Sequence, residues 1–483
     1  MTVGDPLSAS AFELAAAIRE GALSSRAIVE AHIERAKTIN PTINAIVVPR
    51  YEQALREADE ADAARAVCED LDELPPLHGV PCTIKESFAF TGLPNTSGLV
   101  SRRGAVAEVD ATTVARLRAA GAICIGLTNV SELCMWMESS NHVYGRSNNP
   151  YDPRCIVGGS SGGEGAIVGA GASPFGLGAD IGGSIRMPAF FCGAFGHKPT
   201  GGVVPATGQY PIAENAALGY LSTGPIARRA ADLLPLLRIL AGPDGEDPST
   251  RRVVLEDRPP EDLRGLDVVV VENDGKGPVD HELVEALERA ASALADRGAR
   301  IERARIPEFG RAFELWSALM AEAAQVSFRE HLGLPERGAL GRELVRWTVG
   351  RSPHTLPALV LAAMEDARPF VPSAAGRQRM LREVEALRRR VVQLIGPRGV
   401  MLYPPHPRPA PRHGSPLLRP FDFAYTAVFN ILELPVTQVP MGLSRQGLPL
   451  GVQVVGVHDN DALTIAVGEV LEDAIGGWVR PAA

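Results

Sequence analysis

An α/β fold is predicted for this chain of 483 residues by three observations. Short apolar strand candidates alternate with amphipathic helix candidates along most of its length. Apolar residues make up 45% and charged residues 22%, the balance of a globular protein with a substantial core. No internal repeat and no long linker divides the chain, so one large domain over residues 1–483 is expected.

The chain opens on helices. Ser10 and Glu13 have capping-box spacing, Phe12, Leu14 and Ile18 follow, and Gly21 stops the run. A second helix starts near Ser25, carries Ile28, Val29 and Ile33 on one face, and is expected to stop at Asn40-Pro41. Residues 51–70 read as a polar helix rich in Ala and Glu. In GVPCTIKES, Val80, Cys82 and Ile84 alternate with Pro81, Thr83 and Lys85, as in a short strand. A helix over 111–120 leads into the strand AICIGL. Residues 158–202 are rich in glycine and serine and show few periodic apolar positions. Beyond them LDVVVVEN and ARIERARIP read as strands around the helix VDHELVEALERAASALADRG. Residues 310–395 read as mostly helical, and their helices around Trp316 and Pro357 are either core or a pocket wall. VMLY is a strand running into a proline-rich loop, and LPVTQVP and LPLGVQVVG are the last strand candidates.

The net charge of −9 argues against a nucleic-acid or anionic-membrane surface, since both call for a basic patch. The six cysteines form no C-x-x-C pair and read as free thiols in a reducing compartment. The first residues lack the pattern of a signal peptide, and no apolar run reaches the roughly 18 residues of a membrane span. A cytoplasmic location is expected. None of the ten histidines has metal-ligand spacing, so neither a metal nor a cofactor is expected.

The densest chemical signal is IVGGSSGGEGAIVGAGASPFGLGADIGGSIRMPAFFCGAFGHKPTGG. A phosphate-binding loop needs a lysine directly after its glycines, and none follows before Lys198. Gly158 to Gly162 satisfy the G-x-S-x-G elbow of α/β-hydrolases, with His406 or His413 as the partner base. That elbow needs a strong strand before it, whereas YDPRCIV is polar and broken by proline. Glycines that merely permit close packing would explain neither Ser160, Ser161 and Ser184 nor a lysine upstream.

Three pieces in order, GVPCTIK, GGSSGGEG and DIGGSIR, resemble the amidase signature family. Further segments, among them DIGGSIRMPAFF, GHKPTGGVVP, LYPPHP, FDFAYTAVFN and GLPLGVQVVG, are similar to its fatty-acid amide hydrolase branch, in particular the second form. The resemblance covers nearly the whole chain. It implies a mixed β-sheet core sandwiched between helices, a signature core over about residues 70–230, and a helical, pocket-forming insertion over about 310–395.

The implied reaction is hydrolysis of a carboxylic amide through an acyl-enzyme on Ser184. Ser160 relays the proton and Lys85 is the general base. Serine is a poor nucleophile until a base takes its proton, and lysine serves only when neutral. Burial that lowers a lysine pKa by about 3 units disfavours its charge by about 4 kcal/mol. A cis peptide is implied at Ser160. The oxyanion hole falls to the backbone N–H groups of Ile181, Gly182, Gly183 and Ser184. Ser161, Asp180 and Arg186 support the loop, and Cys134, Met135 and Trp136 touch substrate. Two departures stand out. Membrane-bound members of the branch carry an N-terminal anchor, whereas this chain begins on helices of soluble type, and Glu433 stands where glycine is common. The expected partner is a small-molecule hydrophobic acyl or aryl amide, with esters and carbamates as further substrates. No nucleic acid and no membrane anchor are expected, and the sequence leaves a homodimer open. Two alternatives remain open on sequence: the glutaminase subunit of a tRNA-dependent amidotransferase, and a non-catalytic binding protein of the same fold.

Overall fold

A computed structural model describes residues 4–213, 216–257, 264–323, 326–336, 338–367 and 374–482. Its first helix, Ala11–Glu20, closes as the capping box predicts. Glu13 N donates to Ser10 Oγ at 3.0 Å, Ser10 N donates to Glu13 Oε2 at 2.7 Å, and Gly21 takes the left-handed conformation at φ 74°. The second helix, Ser25–Ile43, runs through the expected stop: Pro41 lies within it and Asn44 caps it at φ 45°. The Asn40 side chain explains the extension. Its Oδ1 accepts from the N–H groups of Ala45 and Ile46, and its Nδ2 donates to Ile46 O, so the turn closes beyond the proline. The polar helix is Tyr51–Val67.

The strands, in chain order, are β1 (Ile46–Pro49), β2 (Pro81–Lys85), β3 (Ile123–Thr128), β4 (Ser140–Asn141), β5 (Gly145–Arg146), β6 (Phe175–Asp180), β7 (Phe195–Lys198), β8 (Ser222–Ala227), β9 (Asp267–Val270), β10 (Arg300–Arg303), β11 (Gly399–Tyr403), β12 (Val436–Leu443) and β13 (Pro449–Val455). Eleven of them make one mixed sheet in the order β1-β3-β2-β6-β8-β7-β12-β13-β11-β9-β10, and β4 and β5 form a separate ribbon. β2 runs parallel to β3 and β6, and β9 runs parallel to β10 and β11. Antiparallel pairs join these blocks through β8, β7, β12 and β13.

Alternate side chains feed opposite layers. Val268, Val270, Val400, Leu402, Val452 and Val454 enter one apolar cluster, which also holds helices Ala11–Glu20, Leu233–Leu240 and His281–Asp296. Val269, Val271, Met401, Tyr403 and Val455 enter a second with helices Ala312–Ala323 and Ala424–Ile431. Helices Ser25–Ile43 and Tyr51–Val67 close that second face at the other end of the sheet. The sheet is thus a core covered on both faces, which is why all five residues of β2 are buried rather than alternating. The unassigned stretch 158–202 contains β6, β7 and the short helices Gly162–Gly169 and Arg186–Phe191, nearly all of it buried. Within 310–395, helices Ala312–Ala323, Phe328–His331, Ala339–Thr348, Leu356–Ala367 and Ala374–Ile395 bear out the helical reading. Residues 324–325, 337 and 368–373 of that stretch lie outside the described residues. No helix among the described residues is long and apolar enough to cross a membrane.

Candidate active site

Parallel strands β2 and β6 end side by side, and the chain leaving β6 turns through Ile181–Ser184 into helix Arg186–Phe191. Lys85 is the last residue of β2, and its side chain is 1% exposed. Its Nζ donates to Ser160 Oγ at 2.8 Å. Ser160 precedes helix Gly162–Gly169, and its peptide bond to Gly159 is cis. Ser161 N donates to Ser184 O at 3.2 Å, which ties the two serine-bearing loops together. The Ser161 hydroxyl donates to Ala179 O and accepts from Ala179 N. Among the described residues the Ser184 hydroxyl makes no hydrogen bond, and Ser184 is 8% exposed, against 2% for Ser160. A free hydroxyl on the more open residue and a bonded one behind it is the order a nucleophile and a relay require.

Burial pushes the Lys85 pKa below its usual 10.5, against the pull of Cys134, Asp180 and Glu164. Cys134, in the left-handed region at φ 57°, brings its thiol to the amine. Glu164 was not singled out from the sequence. Its carboxyl accepts from Thr83 Oγ1 at 2.6 Å and Thr128 Oγ1 at 2.7 Å, and burial pushes its pKa up to about 8 despite those hydroxyls and Lys85.

Asp180 and Arg186 form a fully buried ion pair at 2.9 Å. Burial disfavours the Asp180 carboxylate, yet the Arg186 guanidinium, assisted by Lys198 and Asn430, holds its pKa well below the usual range. Arg186 also donates to Thr426 O, Gln453 Oε1 and Asn430 Oδ1. Every arm of the guanidinium is therefore spent inside the protein, so the pair braces the loop rather than facing the site. Asp180 Oδ1 accepts from Gly183 N at 2.7 Å, while the Ile181, Gly182 and Ser184 N–H groups make no hydrogen bond among the described residues. Gly183 sits at φ 122°, and a Cβ there would run into Thr426 Oγ1.

Cys134, Met135 and Trp136 lie together at the Lys85 end. Met135 packs on an apolar cluster of Leu99, Leu133, Leu340 and Leu359, and Trp136 O lies where a Cβ on Gly159 would fall. Trp316 Nε1 donates to Ile181 O at 2.8 Å, and its ring meets Phe423 edge to face at 5.1 Å. His406 and His413 do not touch the serines. His406 bonds Arg408 O, His413 bonds Glu138, and the α/β-hydrolase elbow thus lacks its base. Thr426, Asn430 and Gln453 were also not anticipated, because their role depends on helix Ala424–Ile431 and β13 docking beside the loop.

The chain matches the Amidase family over residues 27–465. It is 45% identical to Fatty-acid amide hydrolase 2 of Homo sapiens, over 98% of this chain and 90% of that one. Against a subunit of the Glutamyl-tRNA(Gln) amidotransferase of Synechococcus sp. (strain CC9902) it is 30% identical, over 95% and 94%. The solved structure of 6-aminohexanoate cyclic dimer hydrolase superposes with a TM-score of 0.79 at 27% identity, covering 98% of both chains. The chain belongs to the amidase signature family. It is a hydrolase of carbon–nitrogen bonds in amides other than peptide bonds.

Proposed function

We propose that this chain hydrolyses hydrophobic acyl or aryl amides through Ser184, Ser160 and Lys85. The observation that carries the reading is the buried Lys85–Ser160 hydrogen bond at 2.8 Å beside the unbonded Ser184 hydroxyl. Neutral Lys85 takes the Ser160 proton while Ser160 takes that of Ser184, whose Oγ attacks the substrate carbonyl. The oxyanion formed is received by the unbonded N–H groups of Ile181, Gly182 and Ser184, with Gly183 N held on Asp180. Collapse returns the proton from the lysine ammonium through Ser160 to the leaving amine. Water then repeats the sequence on the acyl-enzyme.

The apolar substrate class is supported by the aromatic rings beside the loop: a Cβ on Gly182 would lie 3.5 Å from the Phe423 ring and 3.6 Å from that of Trp316. Esters and carbamates present the same electrophilic carbonyl and belong to this reading. So does one amidase domain over residues 1–483, with its core at about 70–230 and the helical stretch 310–395 supplying a wall. A cytoplasmic address is supported by the six unpaired cysteines. Glutamine is the less favoured substrate, since the amidotransferase relative is 30% identical against 45% for the fatty-acid amide hydrolase.

Intact-mass analysis after fluorophosphonate treatment tests the assignment. One adduct mapped to Ser184, absent in Ser184→Ala together with hydrolysis of a hydrophobic anilide, is expected. An adduct on Ser160 with turnover surviving Ser184→Ala would refute it.

A further inference from the structure

We propose that Trp316 is a positioning residue for the oxyanion site, orienting the Gly182 N–H through the Ile181 carbonyl. The proposal rests on the reading of Ser184 as nucleophile. From Asp180 to Ser184, each backbone carbonyl is held by a separate donor. Asn430 Nδ2 holds Asp180 O at 3.0 Å, Trp316 Nε1 holds Ile181 O at 2.8 Å, and Thr426 Oγ1 holds Gly182 O at 2.7 Å. Met187 N holds Gly183 O at 2.8 Å and Ser161 N holds Ser184 O at 3.2 Å.

All these peptide bonds are trans, since the two cis bonds of the described chain lie elsewhere. In a planar trans peptide the N–H points opposite the carbonyl, so fixing one fixes the other. The five anchors therefore set the directions of the N–H groups of Ile181, Gly182, Gly183, Ser184 and Ile185. Asp180 takes two of them, Gly183 N and Ile185 N. The three that remain unbonded are aimed by Asn430, Trp316 and Met187. Asn430 is fully buried in helix Ala424–Ile431, and Met187 follows the loop directly. Trp316 differs: it is half-buried and comes from helix Ala312–Ala323, within the helical stretch. A Cβ on Gly182 would lie 3.5 Å from the Phe423 ring and 3.6 Å from that of Trp316. The indole thus holds the peptide from one side, as preorganised donors require.

The test separates the hydrogen bond from the ring. Trp316→Phe keeps an aromatic ring and removes the donor. Benzothienylalanine placed at position 316 keeps the full shape of tryptophan with sulfur in place of N–H, should phenylalanine unsettle the fold. The readouts are kcat and KM on a hydrophobic p-nitroanilide and the inhibition constant of the matching trifluoromethyl ketone, whose serine adduct carries the oxyanion. Loss of one oxyanion donor typically costs about 10²–10³ in rate, so its misalignment is expected to lower kcat roughly ten- to hundredfold. For the benzothienylalanine variant, which keeps the apolar surface, KM should hold within about twofold and ketone binding should weaken by the same factor as kcat. A variant with unchanged kcat and ketone affinity, or one altered in KM alone, overturns the proposal while leaving the triad intact. A parent chain that neither turns over the anilide nor binds the ketone overturns the triad reading, and this one with it.

Discussion

The proposed mechanism turns on one buried amine, that of Lys85. A solvated lysine would be charged at neutral pH and useless as a base. Here the last position of β2 is sealed, burial favours the neutral form, and Ser160 stands 2.8 Å away to take or return a proton. The sign of the pH dependence follows. In the proposed mechanism the active form is the one without the extra proton, so kcat/KM is expected to rise with pH and reach its plateau below the ordinary lysine value of 10.5. A pH–rate profile with chemistry rate-limiting checks this. A profile flat from about pH 5 to about pH 10 would contradict it.

At the scale of elements, Glu164 fastens helix Gly162–Gly169 to the edges of β2 and β3 through Thr83 and Thr128. Its pKa is raised from 4.5 to about 8, so the folded state binds a proton that the unfolded chain has released over that interval. The stability this contributes is complete below about pH 4.5 and is lost as the pH rises through about 8. Glutamine does not titrate. Glu164→Gln is therefore expected to show a shallower fall of Tm than the parent between these values, with the two curves converging or crossing on the alkaline side. Thermal melts by circular dichroism across that range decide it, and parallel curves would remove Glu164 from the account. The Asp180–Arg186 pair belongs to the same scale. It holds a loop in one conformation by joining it to helix Ala424–Ile431 and β13, and both partners are spent in doing so.

Across the whole molecule, the helical stretch is latched to the site by one carboxylate. Glu132, just ahead of Cys134, accepts from His354 at 2.7 Å and from Thr355 N at 2.8 Å, joining residues more than 200 positions apart. His354 N in turn meets Ser352 Oγ, which donates to Glu343 of helix Ala339–Thr348. Glu132→Ala strips buried donors of their acceptor, a loss of about 1–3 kcal/mol. Faster hydrogen exchange over helices Ala339–Thr348 and Leu356–Ala367 is expected, and a higher KM for hydrophobic amides, since Glu132 shares the turn that leads into Cys134–Trp136, the proposed substrate contacts. Unaltered exchange there would show the apolar cluster alone to hold these helices.

The sequence by itself determined the α/β class, the capping-box helix and the strands around Val268, Val400 and Val452, and it nominated the three residues on which the proposed mechanism rests. Each is written in local order: periodicity for the elements, and three short motifs for Lys85, Ser160 and Ser184. Helix Gly162–Gly169 was not legible, because the face it turns to its neighbour is built from glycine. Gly165 and Gly169 let helix Gly162–Gly169 lie against Pro188 and Cys192, where a Cβ would collide with backbone. Pro41 misled for a related reason, since Asn40 closes the turn that proline alone would have ended. Only the tertiary structure decided which groups surround the motifs. Glu164, Trp316, Thr426 and Asn430 act through partners 36 to 250 residues away, and a hydrogen bond of that span leaves no periodic mark in the sequence. It is the folding of β2 and β6 side by side that brings a lysine and two serines to one place, and the covered sheet that takes the water from around them.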